Sequence, residues 1–272
     1  MQFKNFLSEN RQDKDSVLEF LTNVLKLDQE DFDINEDLSV SLFVDLDISN
    51  NSATSLRRIP VKFREIQGSV WISNCKLETL IGLPTKIDGG VYITNARITD
   101  LRYCPQQLGD DGDIVLQNNR ELVSLEGCPS DVPHDFSLND CHKITSLKGG
   151  PKTVGHNYKV DTCDKLTSIE GMPTKIGKHL ALCNNRNLTS LAGISKMLKE
   201  CGGKLDVSGS RFTSSIMGLL IIKGFTGIEY KFGGAEATKA FEIIFNCRKD
   251  GKDALDCQEA LFDAGLDEFA HI

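Results

Sequence analysis

Leu166-Thr167-Ser168-Ile169-Glu170-Gly171-Met172-Pro173 is one copy of a block that recurs along this chain. Ile144-Thr145-Ser146-Leu147-Lys148-Gly149-Gly150-Pro151 and Leu122-Val123-Ser124-Leu125-Glu126-Gly127-Cys128-Pro129 are close copies. Looser copies begin at Ala53, Leu77 and Ile98, and Leu188 to Gly193 continues the series with Ser195 where proline would fall. The closing prolines, Pro60, Pro84, Pro105, Pro129, Pro151 and Pro173, stand 21 to 24 residues apart. A fixed period of this size builds one small structural unit per repeat, and the units bury their apolar faces only by stacking into a solenoid.

Before each block stand two apolar residues one position apart, the pattern of a short strand with one buried face. The pairs are Leu46/Ile48, Val70/Ile72, Val91/Ile93, Ile114/Leu116, Phe136/Leu138, Tyr158/Val160, Leu180/Leu182 and Leu205/Val207, which predicts eight strands. Three residues after each pair sits a small group: Asn51, Cys75, Ala96, Asn119, Cys141, Cys163, Asn185 and Ser210. Leucine-rich repeats carry Asn or Cys at this corner, where an inward amide or thiol can satisfy buried backbone groups. The expected fold is therefore an α/β solenoid of leucine-rich-repeat type, with a parallel sheet of about eight rungs over residues 44–215. The block itself is too short for a regular helix, so extended or 3₁₀ pieces are expected on its wall.

Helical caps are expected at both ends, over 1–43 and 216–272, because an open solenoid end exposes a hydrophobic cross-section. Ser16-Val17-Leu18-Glu19 reads as a capping box that opens a helix from Ser16 to Leu27. Asp28 to Asp37 reads as a solvated acidic linker: Asp31, Asp33 and Asn35 resemble the start of a calcium loop, but Glu36 and Leu42 stand where Gly and Glu are required. Ile228, Tyr230 and Phe232 alternate as in a last strand, and helices are expected over Ala235 to Arg248 and Lys252 to Ala264, the second with Leu255, Leu261 and Ala264 on one side.

The net charge of −8 and the absence of a Lys/Arg run argue against direct nucleic-acid binding and favour a basic protein partner. Neither a signal peptide nor an apolar run of bilayer length is apparent, so a cytosolic setting with reduced cysteines is expected.

The repeat and the tail together resemble leucine-rich-repeat-like proteins encoded by bacteriophages. The resemblance rests on the blocks at 122–129, 144–151, 166–173 and 188–193, on Leu219-Leu220-Ile221-Ile222-Lys223-Gly224, and on Cys257-Gln258-Glu259-Ala260-Leu261 followed by Ala264-Gly265-Leu266. It implies a phage or bacterial cytoplasmic setting and supplies no activity, cofactor or catalytic residue.

No hydrolase elbow, zinc-protease, P-loop or dinucleotide motif occurs, so no enzyme, cofactor or metal ligand set is expected. His134 and His156 occupy equivalent positions in adjacent repeats and should lie side by side at the strand entrance, as exposed polar residues or, alternatively, as a two-histidine metal site. The residues between and just after the inward pairs point out of the sheet. Trp71, Tyr92 and Val115 should form a contiguous apolar patch there, with Ser73, Gln117, Asp113, Asp135, Lys159 and Asp161 around it. The alternative is that the N-terminal segment folds over the patch. The expected function is binding of a host protein with a basic surface, a defence or nucleic-acid-handling factor, by steric occlusion through the concave sheet in the host cytoplasm. A self-associating phage assembly protein is the alternative.

Overall fold

A computed structural model describes residues 13–49, 51–229 and 234–271, the side chains of Asn51 and Ser52 excepted. The chain forms helix α1 (Lys14–Glu19), then strands β1 (Phe32–Ile34), β2 (Val40–Leu42), β3 (Leu46–Asp47), β4 (Phe63–Ile66), β5 (Val70–Ser73), β6 (Val91–Thr94), β7 (Ile114–Gln117), β8 (Asp131–Val132) and β9 (Phe136–Asn139). It continues with β10 (Thr153–Val154), β11 (Tyr158–Asp161), β12 (Lys175–Ile176), β13 (Leu180–Cys183), α2 (Ile194–Met197), β14 (Glu200–Cys201), β15 (Lys204–Asp206) and β16 (Gly227–Glu229), and ends in helices α3 (Ala235–Lys249) and α4 (Ala254–Asp263).

The architecture is a β-solenoid of about eight parallel turns with a few helices. Its long wall is a nine-stranded parallel sheet in the order β16-β15-β13-β11-β9-β7-β6-β5-β3. All eight apolar pairs are buried. They align rung on rung, Val70 with Val91, Ile114, Phe136, Tyr158, Leu180, Leu205 and Ile228 in turn. A slip of one residue would turn every inward side chain outward, so the alternation itself holds the register. Phe136 and Tyr158 stack inside at 4.9 Å between ring centroids, and the Tyr158 hydroxyl is buried with no hydrogen-bond partner among the described residues. The ninth strand takes Ile228 from the alternation expected at the end of the sheet, while Tyr230 and Phe232 lie outside the described residues.

The opposite wall is better ordered than the block sequence suggested. β8, β10, β12 and β14 form a second parallel sheet, and single bridges at Ile66–Ile87, Lys86–Gln107 and Glu200–Lys223 carry the pattern along the stack. Val132, Val154, Ile176 and Cys201 point inward at equivalent positions. The residues after them are Pro133, Gly155, Gly177 and Gly202, and the amides of the three glycines donate to Val132, Val154 and Ile176 of the preceding turn at 2.9, 2.9 and 3.0 Å.

At the corner after the long sheet the expected ladder forms. Asn119 accepts from the Ala96 amide at 2.9 Å and donates to the Ile93 carbonyl at 2.8 Å. Asn185 repeats this with the Cys163 amide and the Val160 carbonyl, both at 2.9 Å. The Ser210 hydroxyl accepts from the Asn185 amide and donates to the Leu182 carbonyl. Cys141 and Cys163 stand in the same column, their thiols pushed up to about 12 chiefly by burial. Just before each ladder residue from Cys75 to Ser210 the backbone is left-handed, at Asn74, Asn95, Asn118, Asp140, Thr162, Asn184 and Gly209. Asn and Asp tolerate this conformation better than most residues, which accounts for the asparagine-rich corners.

Two expectations at the N-terminus are corrected. Helix α1 is capped by Asp13, whose carboxylate accepts from the Ser16 amide at 2.8 Å, so Ser16 is the third residue of the helix and closes the box rather than opening it. An α-helix extends only to Glu19, and Phe20–Val24 form a π turn. The acidic stretch is not all linker: Phe32 and Ile34 flank Asp33 in β1, which pairs antiparallel with β2, and β2 pairs parallel with β4. The alternation Phe-Asp-Ile makes a half-buried strand, and Val40 and Leu42 bury opposite it.

At the other end α3 buries Ala237, Ala240, Phe241, Ile244 and Cys247. Phe241 meets Phe212 edge-on at 5.9 Å, and Arg248 donates to the carbonyls of Leu219 and Leu220 at 3.0 and 2.9 Å. Helix α4 begins two residues later than expected because the Asp253 carboxylate caps it. Its buried residues are Cys257 and Leu261, and Leu255 faces solvent instead.

Candidate functional site on the long sheet

Strand register sets one continuous outward row, Asp47, Trp71, Tyr92, Val115, Ser137, Lys159, Ala181, Asp206 and Glu229. A second row beside it runs Ser73, Thr94, Gln117, Asn139, Asp161 and Cys183. Trp71, Tyr92, Val115, Ser73, Gln117, Lys159 and Asp161, expected on one surface, are thus brought to one face.

Trp71 and Tyr92 lie on adjacent strands with their rings stacked at 4.0 Å and 8°. Strands about 4.8 Å apart place equivalent aromatic rings at near-stacking distance without backbone adjustment. Both rings are also tethered at their polar tips. The Trp71 indole donates to Asp45 at 3.1 Å, and the Tyr92 hydroxyl donates to Asp113 at 2.9 Å. Among the described residues Trp71 keeps 39 % of its surface open, while Tyr92 and Val115 are half-buried. The patch is an ordered aromatic plate rather than a pair of free side chains.

Asp45 and Asp113 belong to a feature that the sequence displayed but that was not read from it. Six of the eight residues that immediately precede the inward pairs accept a hydrogen bond from the backbone of the next turn. Asp45 accepts from the Ser69 amide at 2.7 Å, Ser69 from Gly90 at 3.2 Å, Asp113 from Asp135 at 2.9 Å and Asp135 from Asn157 at 2.9 Å. Asn157 accepts from His179 at 3.3 Å, and the His179 ring from Lys204 at 2.9 Å. The legible signal was an acceptor-bearing residue at this position in every turn but those of Gly90 and Lys204. Asp113 and Asp135 are therefore half-buried backbone acceptors as well as negative charges. Asp161 accepts from the side-chain amide of Asn184 at 2.9 Å, and Lys159 is exposed.

Burial, then the hydrogen bond to Asp113 and the nearby carboxylates, push the Tyr92 phenol from 10.0 up to about 12. A raised folded value means that the proton is held more tightly in the native state. Its contribution to stability is complete below about pH 10 and is lost as the pH rises through about 12. The difference in absorbance at 295 nm between the wild type and Tyr92→Phe should accordingly show a phenol titrating near pH 12. A step centred near pH 10 would mean that in solution Tyr92 is neither buried against the sheet nor held by Asp113.

Cys141 is buried and His142 half-buried outward, so adjacency in sequence does not pair them as a nucleophile and base. Cys183 is half-buried, and burial followed by Asp206 and Asp161 pushes its thiol up to about 12, far from thiolate character at neutral pH. At the entrance to the long sheet the His134 and His156 rings do lie side by side, 4.0 Å between centroids and tilted by 53°. Among the described residues no helix is long and apolar enough to cross a membrane. No known protein family, curated protein or solved structure matches this chain.

Proposed function

We propose that the chain is a non-enzymatic protein-binding module that holds a partner against the outward face of its long sheet. The observation that carries this reading is the stacked and tethered pair of exposed Trp71 and half-buried Tyr92. A binding surface loses less entropy when its aromatic anchors are already ordered, and Trp and Tyr are the residues that most often dominate such surfaces. Asp47, Asp113, Asp135 and Asp161 lie along the same face. Together with the net charge of −8 they favour a partner with a basic surface and disfavour nucleic acid.

In this reading the solenoid is of the leucine-rich-repeat kind, α1 covers its first turn, and α3 and α4 cover its last. A bacteriophage encodes the chain, and it acts in the bacterial cytosol by occluding the working surface of a host protein. The test is affinity capture from bacterial lysate with the wild type and with Trp71→Ala/Tyr92→Ala, quantified by mass spectrometry. A protein with a basic surface should be retained by the wild type and at least about tenfold depleted with the double variant, a loss of about 1.4 kcal/mol or more. Equal capture by both would remove the aromatic pair from the interface, and recovery of the chain alone as an oligomer would favour the assembly reading.

A further inference from the structure

We propose that His134, His156 and Asp135 form a surface site for a divalent zinc ion, separate in chemistry from the aromatic plate. One ligand atom from each of the three lies within 4.8 Å of the other two. The solenoid itself produces this clustering: His134 and His156 occupy the same position in adjacent turns, where the His156 amide donates to the His134 carbonyl at 2.9 Å. Two imidazoles one strand spacing apart on a half-buried surface need only side-chain rotation to converge. Ligands of a tetrahedral zinc ion bound at about 2.0 Å stand about 3.3 Å from one another, so the required movement is small.

The surroundings suit a ligand set. His134 Nδ1 lies 2.7 Å from Asp113 Oδ1. The carboxylate accepts there, so Nδ1 is the donor and Nε2 is the nitrogen left to face an ion. A carboxylate behind an imidazole is the arrangement that orients metal-binding histidines. Asp135 receives both the Asn157 amide and the Asn157 side chain on Oδ1 at 2.9 Å, which anchors the carboxylate through one oxygen and leaves Oδ2 for an ion. The His156 ring makes no hydrogen bond among the described residues, so ligation would break none there. Two imidazoles and one carboxylate match zinc better than the all-oxygen shells of magnesium or calcium, and the fourth position would hold water.

The experiment is calorimetric titration of the whole chain with zinc chloride, with cobalt(II) as a spectroscopic substitute. Wild type should bind one equivalent. His156→Gln should bind at least about tenfold more weakly, while its thermal unfolding stays unchanged. The cobalt complex should show visible d–d bands without the near-ultraviolet charge-transfer band of a thiolate ligand, which separates this site from the nine cysteines. No saturable binding, equal binding by His156→Gln, or a thiolate band would overturn the proposal. Should His156→Gln fail to fold, the wild-type cobalt spectrum together with His134→Gln decides it.

Discussion

Alanine in place of Gly177 should cost the fold about 3 kcal/mol or more and sharply reduce soluble protein. A Cβ at Gly177 would overlap the carbonyl oxygen of Gly155, one turn earlier. The same overlap recurs between Gly155 and Pro133 and between Gly202 and Gly177. The obstacle is backbone, not a flexible side chain, so the turns would have to move apart. Moving them would stretch the 2.9 Å bond from the Gly177 amide to the Val154 carbonyl and the neighbouring pairing of β10 with β12. Gly234→Ala is the control, because a Cβ there meets nothing within 4 Å. Thermal unfolding of the two variants beside the wild type checks the expectation. A Gly177→Ala protein as stable as Gly234→Ala would mean that the turns are not stacked this closely.

The second large effect is expected at Asn185. Its amide side chain is fully buried and serves the Cys163 amide and the Val160 carbonyl at once. Asn185→Leu is close in size but leaves both backbone groups buried without partners, at about 1–3 kcal/mol each. The variant should therefore unfold at lower urea concentration, with a loss of about 2–6 kcal/mol, and hydrogen exchange at the Cys163 amide should accelerate with it. Cys163→Ala should cost less, since its thiol reaches the Leu138 and Asp161 carbonyls only at 3.8 and 3.5 Å. Equal losses for the two variants would mean that the column is held by packing volume and not by the amide bonds.

These two positions mark how far the chain could be read from its residues. The corner asparagines were legible because a polar residue three positions after an apolar pair, repeated turn after turn, has few physical purposes other than satisfying buried backbone. The glycines after the second-wall strands were visible as recurring residues, but the reason for them was not. A close approach between turns depends on how tightly the coils stack, and no spacing along the chain states that distance. The hairpin-like pairing of β1 with β2 was hidden for a related cause: Phe32, Asp33 and Ile34 alternate over too few residues to stand out from an acidic stretch, and only β4 alongside β2 makes the strand worth forming.

For the candidate site the division is similar. Periodicity of two placed Trp71, Tyr92 and Val115 outward, and a constant repeat placed them on neighbouring strands; both follow from local geometry. The roles of Asp45 and Asp113 did not follow, because each acts on an atom more than twenty residues away in sequence. Read along the chain, they are surface charges. In the folded solenoid they are backbone acceptors that also hold the rings of the aromatic plate. The amino-acid sequence by itself determined the solenoid, its inward pairs, its corner column and the face that carries the aromatic residues, since all of these repeat with the period. Tertiary structure alone decided the second sheet, the distance between turns and the partner of each carboxylate, since these depend on which turn lies against which.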